Sequence, residues 1–249
     1  VFIIQTQLNG TWSLLGKNKN MEVTYQSSNN SGWVDGGTTR DCVVSKPSGL
    51  SIGDLLILQF QQETNGLLPS FSGYNLLASQ QQGTPGARMT NGVYVKIADS
   101  NDVAQSSFTF QADATSGAHC AALHRVSGGL SANIISSSGV TVNSASVSIS
   151  GLTQETENNL LVFLVAGTDD PSTVSSYAIA NSNPSWSEIF DISATLGDRH
   201  FMSAAHASRV PATATGNITC SVSESTSDTF VCLLSIRPST GSFFNFIYN

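Results

Sequence analysis

Two stretches decide the fold: GDLLILQF (Gly53–Phe60) and, about a hundred residues later, its echo NNLLVFLV (Asn158–Val165). Each is a turn-forming pair followed by an apolar run, interrupted in the first by Gln59 alone. The runs Leu55 to Phe60 and Leu160 to Ala166 are too short for core helices and rich in aliphatic residues. They read as central strands with both faces buried. Period-two alternation marks further strands at Val140 to Ile149 (VTVNSASVSI), Gly92 to Ala98 (GVYVKIA) and Ser107 to Gln111 (SFTFQ). Turn clusters separate them: SSNNSGW, TPGARMTNG, ADSNDVA and SNPSW. Helical periodicity is absent, with room for one or two helical turns in the Asp- and Ser-rich connections. The expectation is an all-β chain, a jelly-roll-like antiparallel β-sandwich.

The echo extends beyond the two runs. With Leu55-Leu56-Ile57 set on Leu160-Leu161-Val162, Tyr74 to Leu77 falls near Trp186 to Ile189, each an aromatic three residues before an aliphatic. Ser107 to Arg125 lies on Thr219 to Arg237 without a gap, so Phe108 and Phe110 meet Cys220 and Val222, Cys120 meets Cys232 and Arg125 meets Arg237. We therefore expect two weakly similar halves, about 45–127 and 150–239, of about four strands each. They would pack face to face within one sandwich domain, 22–239. Two independent domains are the alternative, but the connection Ser127 to Ser150 is itself strand-like and offers no linker. An N-terminal arm (1–21) and an aromatic C-terminal tail (240–249) lie outside the repeat.

Composition narrows the function. Of 249 residues only 11% are charged and 40% are hydrophobic, with net charge −7. Low charge with abundant Ser, Thr, Asn and Gly fits a β-rich extracellular or virion protein and has too many apolar residues for disorder. The acidic balance and scattered Lys and Arg argue against nucleic acid as a partner. No apolar run is long enough for a helical membrane span, so no membrane insertion is expected. The start, VFIIQTQLNGTW, has neither Met nor the regions of a signal peptide. Cys42, Cys120, Cys220 and Cys232 match no zinc spacing; buried free thiols are the expectation, with one disulfide as the alternative.

The order KPSGLSIGDLLILQF, a Pro-aromatic loop, VYVKIAD, SFTF and ALHRVSG resembles a family of phage and prophage virion-associated β-sandwich proteins. Lys46, Pro47, Gly49, Gly53, Asp54, Lys96 and Ala98 carry the likeness, and Arg237 and Pro238 close the second half. It runs from about Glu22 to Ser239. Tyr74 stands where the first half of that family usually has Trp. The resemblance implies a tail-fibre, receptor-binding or capsid-surface protein with no active site to carry over. The residues themselves suit structural roles: Gly53-Asp54 makes a tight turn into a strand, and Pro47 an entry loop.

Candidate chemistry is sparse. GLSIG (Gly49 to Gly53) has the G-x-S-x-G form, but Ser51 precedes a strand and no helix follows, so a nucleophile elbow is not expected. His119 and His124 should face opposite sides of their strand; His200 and His206 share a parity but lie far apart. Core or surface histidines are expected, not a metal site. Asp169-Asp170, Glu155/Glu157 and Asp99/Asp102 fall in predicted turns, where carboxylates are ordinary, although loop carboxylates are also what calcium takes. The reading assigns no catalytic residue, no cofactor and no metal ligand.

Aromatics beside Gly, Ser, Asn and Pro are the candidates for glycan or host contact: Trp33, Tyr74, Tyr177 and Trp186. For Tyr74 and Trp186 the favoured role is to cap the two ends of the core. The apolar termini supply candidates for contact with sister subunits or other virion proteins: Phe2, Ile3, Ile4, Phe243, Phe244, Phe246 and Tyr248. The first expectation is thus a non-enzymatic virion protein on the particle surface, a homo-oligomer that could touch a host-surface glycan. The second is a secreted carbohydrate-binding module or adhesin, for which the triplets at Asn9, Asn29 and Asn217 would be glycan acceptors. A glycan hydrolase or esterase comes third, lacking a nucleophile or acid pair.

Overall fold

The computed structural model describes residues 22–35, 40–64, 67–82, 89–113, 117–141, 144–153, 158–168, 174–179, 185–193, 200–210, 214–223 and 229–238. The chain is all-β and its strand pairs are antiparallel. The first half contributes β1 (Thr24–Asn30), β2 (Asp41–Ser45), β3 (Leu55–Glu63), β4 (Asn75–Gln82), β5 (Met89–Ile97), α1 (Ser100–Ala104), β6 (Ser107–Gln111) and β7 (His119–Ser127). The second contributes β8 (Gly129–Thr141), β9 (Ser146–Ile149), β10 (Asn159–Thr168), β11 (Val174–Ile179), β12 (Ser187–Ser193), β13 (His200–Val210), β14 (Ile218–Val222) and β15 (Thr229–Pro238).

The sheets repeat as the sequence does. The first large sheet runs β1-β7-β3-β5-β4 and the second β8-β15-β10-β13-β12, the same order with each strand replaced by its counterpart. The small sheet β2-β6 corresponds to β9-β14, which carries an additional strand, β11, on the far side of β14. The doubly apolar runs sit where their burial requires. β3 lies between β5 and β7, β10 between β13 and β15, and every residue from Leu55 to Phe60 and from Leu160 to Ala166 is buried.

Burial on both faces means layers on both faces. Leu55, Ile57, Val93, Val95 and Val126 of the first large sheet meet Leu160, Val162, Leu164, Cys232, Leu234 and Ile236 of the second. On its other face the first sheet packs Leu56, Leu58, Phe60 and Leu123 against Cys42, Val44, Phe108 and Phe110 of β2-β6. The second packs Leu161, Phe163, Val165 and Leu233 against Val147, Ile149, Ile218, Cys220 and Val222. The molecule is four layers deep. Counted from β1 and from β8, the halves have seven and eight described strands, and each forms a two-layer sandwich of its own before the large sheets stack.

The halves join with almost no slack. β7 ends at Ser127 and β8 begins at Gly129, paired with Pro238. Gly128 between them has φ +75, and a Cβ there would lie 2.4 Å from the backbone oxygen of Glu22, so the link requires glycine. The one described helix, α1, lies in the Asp-rich connection after β5. Asp99 and Asp102 are therefore not simple turn residues. Asp99 caps the helix through the backbone N–H groups of Asn101 and Asp102, and Asp102 accepts the Asp99 N–H in return.

Candidate functional site

The strongest candidate surface comes from a difference between the halves. In the second half β14 has β9 on one edge and β11 on the other, with Ser221 opposite Ser175 and Thr219 opposite Ala178. β6, the counterpart of β14, has β2 on one edge and, among the described residues, no strand on the other. Backbone bonds at the two ends of the β2–β6 ladder set its phase. Lys46 N–H donates to the Ser106 carbonyl at 2.9 Å, and Ala112 N–H to the Arg40 carbonyl at 2.8 Å. With Cys42 opposite Phe110 and Val44 opposite Phe108, the even-numbered residues turn their backbone groups towards β2. Ser107, Thr109 and Gln111 turn theirs towards the open edge.

That edge forms one wall of a cleft of about 530 Å³. The opposite wall is the loop Pro69 to Tyr74 that leads into β4. Its lining is aromatic at depth: Phe71 packs edge-on against Phe60, Tyr94 and Phe110 with centroids 5.0–5.3 Å apart, and Tyr74 lies 5.7 Å from Phe110. Polar groups ring the mouth. Lys96 Nζ is 2.7 Å from Asp102 Oδ1, 3.3 Å from Asp99 Oδ2 and 5.9 Å above the Tyr74 ring. Burial acts to lower the Lys96 ammonium, but the hydrogen bond and charge of Asp102, with those of Asp99, override it and hold the pKa above its ordinary value. The backbone N–H of Asp102, then that of Asn101, and the Lys96 charge hold the Asp99 carboxyl below the usual range. Burial, helped by the charges of Asp102 and Asp99, pushes the Tyr74 phenol up, so it stays a neutral donor.

The four aromatics singled out by sequence do not gather in one place. Tyr74 is half-buried on the core between β2-β6 and the first large sheet, and it alone lines the cleft. Trp186, its counterpart, is half-buried on the equivalent core of the second half, 6.1 Å from Phe163. Trp33 packs between the two large sheets beside Cys120, Ala122 and Met202, its ring 5.4 Å from that of His200. Tyr177 lies on β11. Phe2, Ile3, Ile4, Phe243, Phe244, Phe246 and Tyr248 lie outside the described residues, as do Glu155, Glu157, Asp169 and Asp170.

The interface between the large sheets carries polar chemistry that the sequence reading missed. Gln59 and Gln61 follow Leu55 and Ile57 on the inward face of β3. Their side-chain amides donate across the interface to the backbone carbonyls of Val165 (2.9 Å) and Gly167 (3.2 Å) of β10. Further along, Tyr25 lies stacked on His206 at 4.5 Å and within 3.2 Å of His124 Nδ1, while Phe190 stacks on His124 at 5.7 Å. Burial first, then the neighbouring His206, lowers the His124 pKa to about 3; burial lowers His206 as well. Parity places His119 on the opposite face of β7, where Nδ1 lies 2.9 Å from the Gly117 carbonyl oxygen. Only the change from Leu55 and Ile57 to Gln59 and Gln61 at alternate positions of LLILQFQQ hinted that β3 passes from a dry interface to a hydrogen-bonded one.

Ser51 sits in a turn, its N–H donated to Asp54 Oδ2 at 2.8 Å and its hydroxyl to the Gly49 carbonyl. Arg125 Nε reaches the same Asp54 oxygen at 2.6 Å, which fixes the turn to β7. All four cysteines are free and buried, and burial pushes the Cys42, Cys220 and Cys232 thiols up to about 12. Among the described residues no group of three His, Cys, Asp or Glu side chains is placed to hold a metal ion. Comparison of the chain with protein-family models, curated proteins and solved structures gives no match.

Proposed function

We propose that this chain is a non-enzymatic structural protein of a bacteriophage particle, displayed on the capsid surface or in a tail fibre and held there through its termini. The observation that carries the reading is the duplication. Two copies of one sandwich, stacked through their large sheets, make a thick body whose interior polar groups bind sheet to sheet. The resemblance to virion-associated proteins, from about Glu22 to Ser239, supplies the particle. Sister subunits and other virion proteins are its partners, and host-surface glycan is a further contact. Gold labelling of intact particles with an antibody to the chain tests this. Label on the head is expected for a decoration protein and label on the tail for a fibre; particles without label sink the proposal.

A second reading has one observation in its favour. The cleft beside β6 joins aromatic faces to amide, hydroxyl and charged groups, the mixture that suits a sugar. A secreted carbohydrate-binding module would bind neutral oligosaccharide saturably as a monomer, with affinity lost in Gln111→Ala. Calorimetric titration with soluble glycans separates the two readings.

A further inference from the structure

We infer that the open edge of β6 is an acceptor for a strand supplied by a second copy of this chain, and that the donor is the tail segment Phe243–Tyr248. The inference deepens the proposal above and rests on it only for the existence of sister subunits, so self-association can hold even for a chain that labels no particle.

The acceptor is defined by the missing counterpart. In the second half Thr219 and Ser221 are paired with β11. Their first-half equivalents, Ser107 and Thr109, together with Gln111, turn backbone donors and acceptors to the open edge instead, and Thr109 and Gln111 line the cleft. An unpaired strand edge is a template for another strand. Here it is bordered by Phe71, Tyr74, Phe108 and Phe110, which favour aromatic side chains on the incoming segment.

The tail supplies that pattern. In SFFNFIYN (Ser242 to Asn249), Phe244, Phe246 and Tyr248 fall on one face of an extended chain, and Phe243, Asn245, Ile247 and Asn249 on the other. Neither Gly nor Pro interrupts it, and it carries no charged side chain that burial would strip of water.

Reach decides whose tail it is. The chain leaves the second large sheet at Pro238. β6 lies two layers away, about 20 Å at the usual spacing of stacked sheets. The five steps from Pro238 to Phe243 span at most about 18 Å. The direct line passes through the first large sheet, so the true path around its edge is longer still. A chain therefore falls short of laying this segment along its own β6, whereas the tail of a neighbour is free to do so. One tail into one cleft is a head-to-tail contact, repeating into a ring or a fibre.

Two full-length variants test this by complementation in analytical ultracentrifugation. Thr109→Pro removes a donor from the open edge without touching a β2–β6 bond, because the Thr109 N–H faces away from β2. The triple change Phe244→Ser, Phe246→Ser, Tyr248→Ser disables the donor. We expect the unaltered chain to associate, each variant alone to sediment as a monomer, and an equimolar mixture to form a heterodimer and nothing larger. Gln111→Pro, at an equivalent edge position, serves if Thr109→Pro loses its circular dichroism or melting transition. Deletion of residues 1–20 should leave association unchanged. A monomeric unaltered chain overturns the inference, as do edge variants that associate normally or association that depends on residues 1–20. Neutral sugar binding in the cleft of a monomer overturns it in favour of a glycan site.

Discussion

Gly53 and Asn158 hold the same place in the two halves, one residue before the buried polar residue that opens each central strand, and both have positive φ, +90 and +61. No heavy atom lies within 4 Å of a Cβ built on Gly53, so a side chain there meets backbone strain and nothing else. Gly53→Ala should lower stability by about 1–2 kcal/mol. Gly53→Asn should lower it far less, since Asn occupies the equivalent site; urea unfolding distinguishes them. The buried histidines make a second prediction. The folded pKa of His124, about 3, lies below the ordinary 6.5, and His206 is lowered too. The unfolded chain therefore binds more protons as the pH falls below about 6.5. The stability these groups contribute is complete above that pH and is lost progressively towards the folded pKa. Melting temperature should fall between pH 7 and pH 4, and His124→Phe should flatten the slope; a slope unchanged by the substitution would place the acid response elsewhere.

At the scale of the element, α1 shows how little sequence a helix needs when its ends are chemically settled. Five residues form it between a reciprocal cap at Asp99 and Asp102 and an ion pair to Lys96 of β5. Asp99→Ala should destabilise the chain modestly, by loss of the helix cap. Asp102→Ala should cost more, about 3 kcal/mol, because it also leaves the largely buried Lys96 ammonium without its nearest carboxylate. Thermal melts of the two variants at neutral pH give the ranking directly. The central strands were readable in the sequence because double burial favours apolar residues at successive positions: LLILQF, apolar but for Gln59, and LLVFLVA announce it by composition. The pairing of Phe108 and Phe110 with Cys220 and Val222 was readable too, since both pairs face the core between layers. The cleft was not. It exists because β11 has no described counterpart beside β6, and a missing neighbour leaves no mark on the residues that would have touched it. Tyr74 and Trp186 in turn sit beside loop-forming residues, but their rings lie against the cores; neighbouring Gly, Ser and Pro report backbone conformation, not burial.

The whole molecule depends on the contact between its large sheets. Residues 22–127 expressed alone would retain the inner core against β2-β6 but expose Leu55, Ile57, Val93, Val95 and Val126 to water. That half should aggregate or pair with itself on size exclusion, and the intact chain should unfold in a single calorimetric transition. Two resolved transitions would show that the halves are energetically separate. The cysteines follow the same stratification. Cys42 lies on β2, Cys120 on β7, Cys232 on β15 and Cys220 on β14, so each of the four layers holds one thiol, buried and free. Burial holds each thiol in its unreactive protonated form until its own layer opens. The molecule thus carries a built-in stratigraphy: a brief exposure to an alkylating reagent during unfolding, followed by peptide mass analysis, would date the opening of every layer in the wild-type chain without introducing a single label.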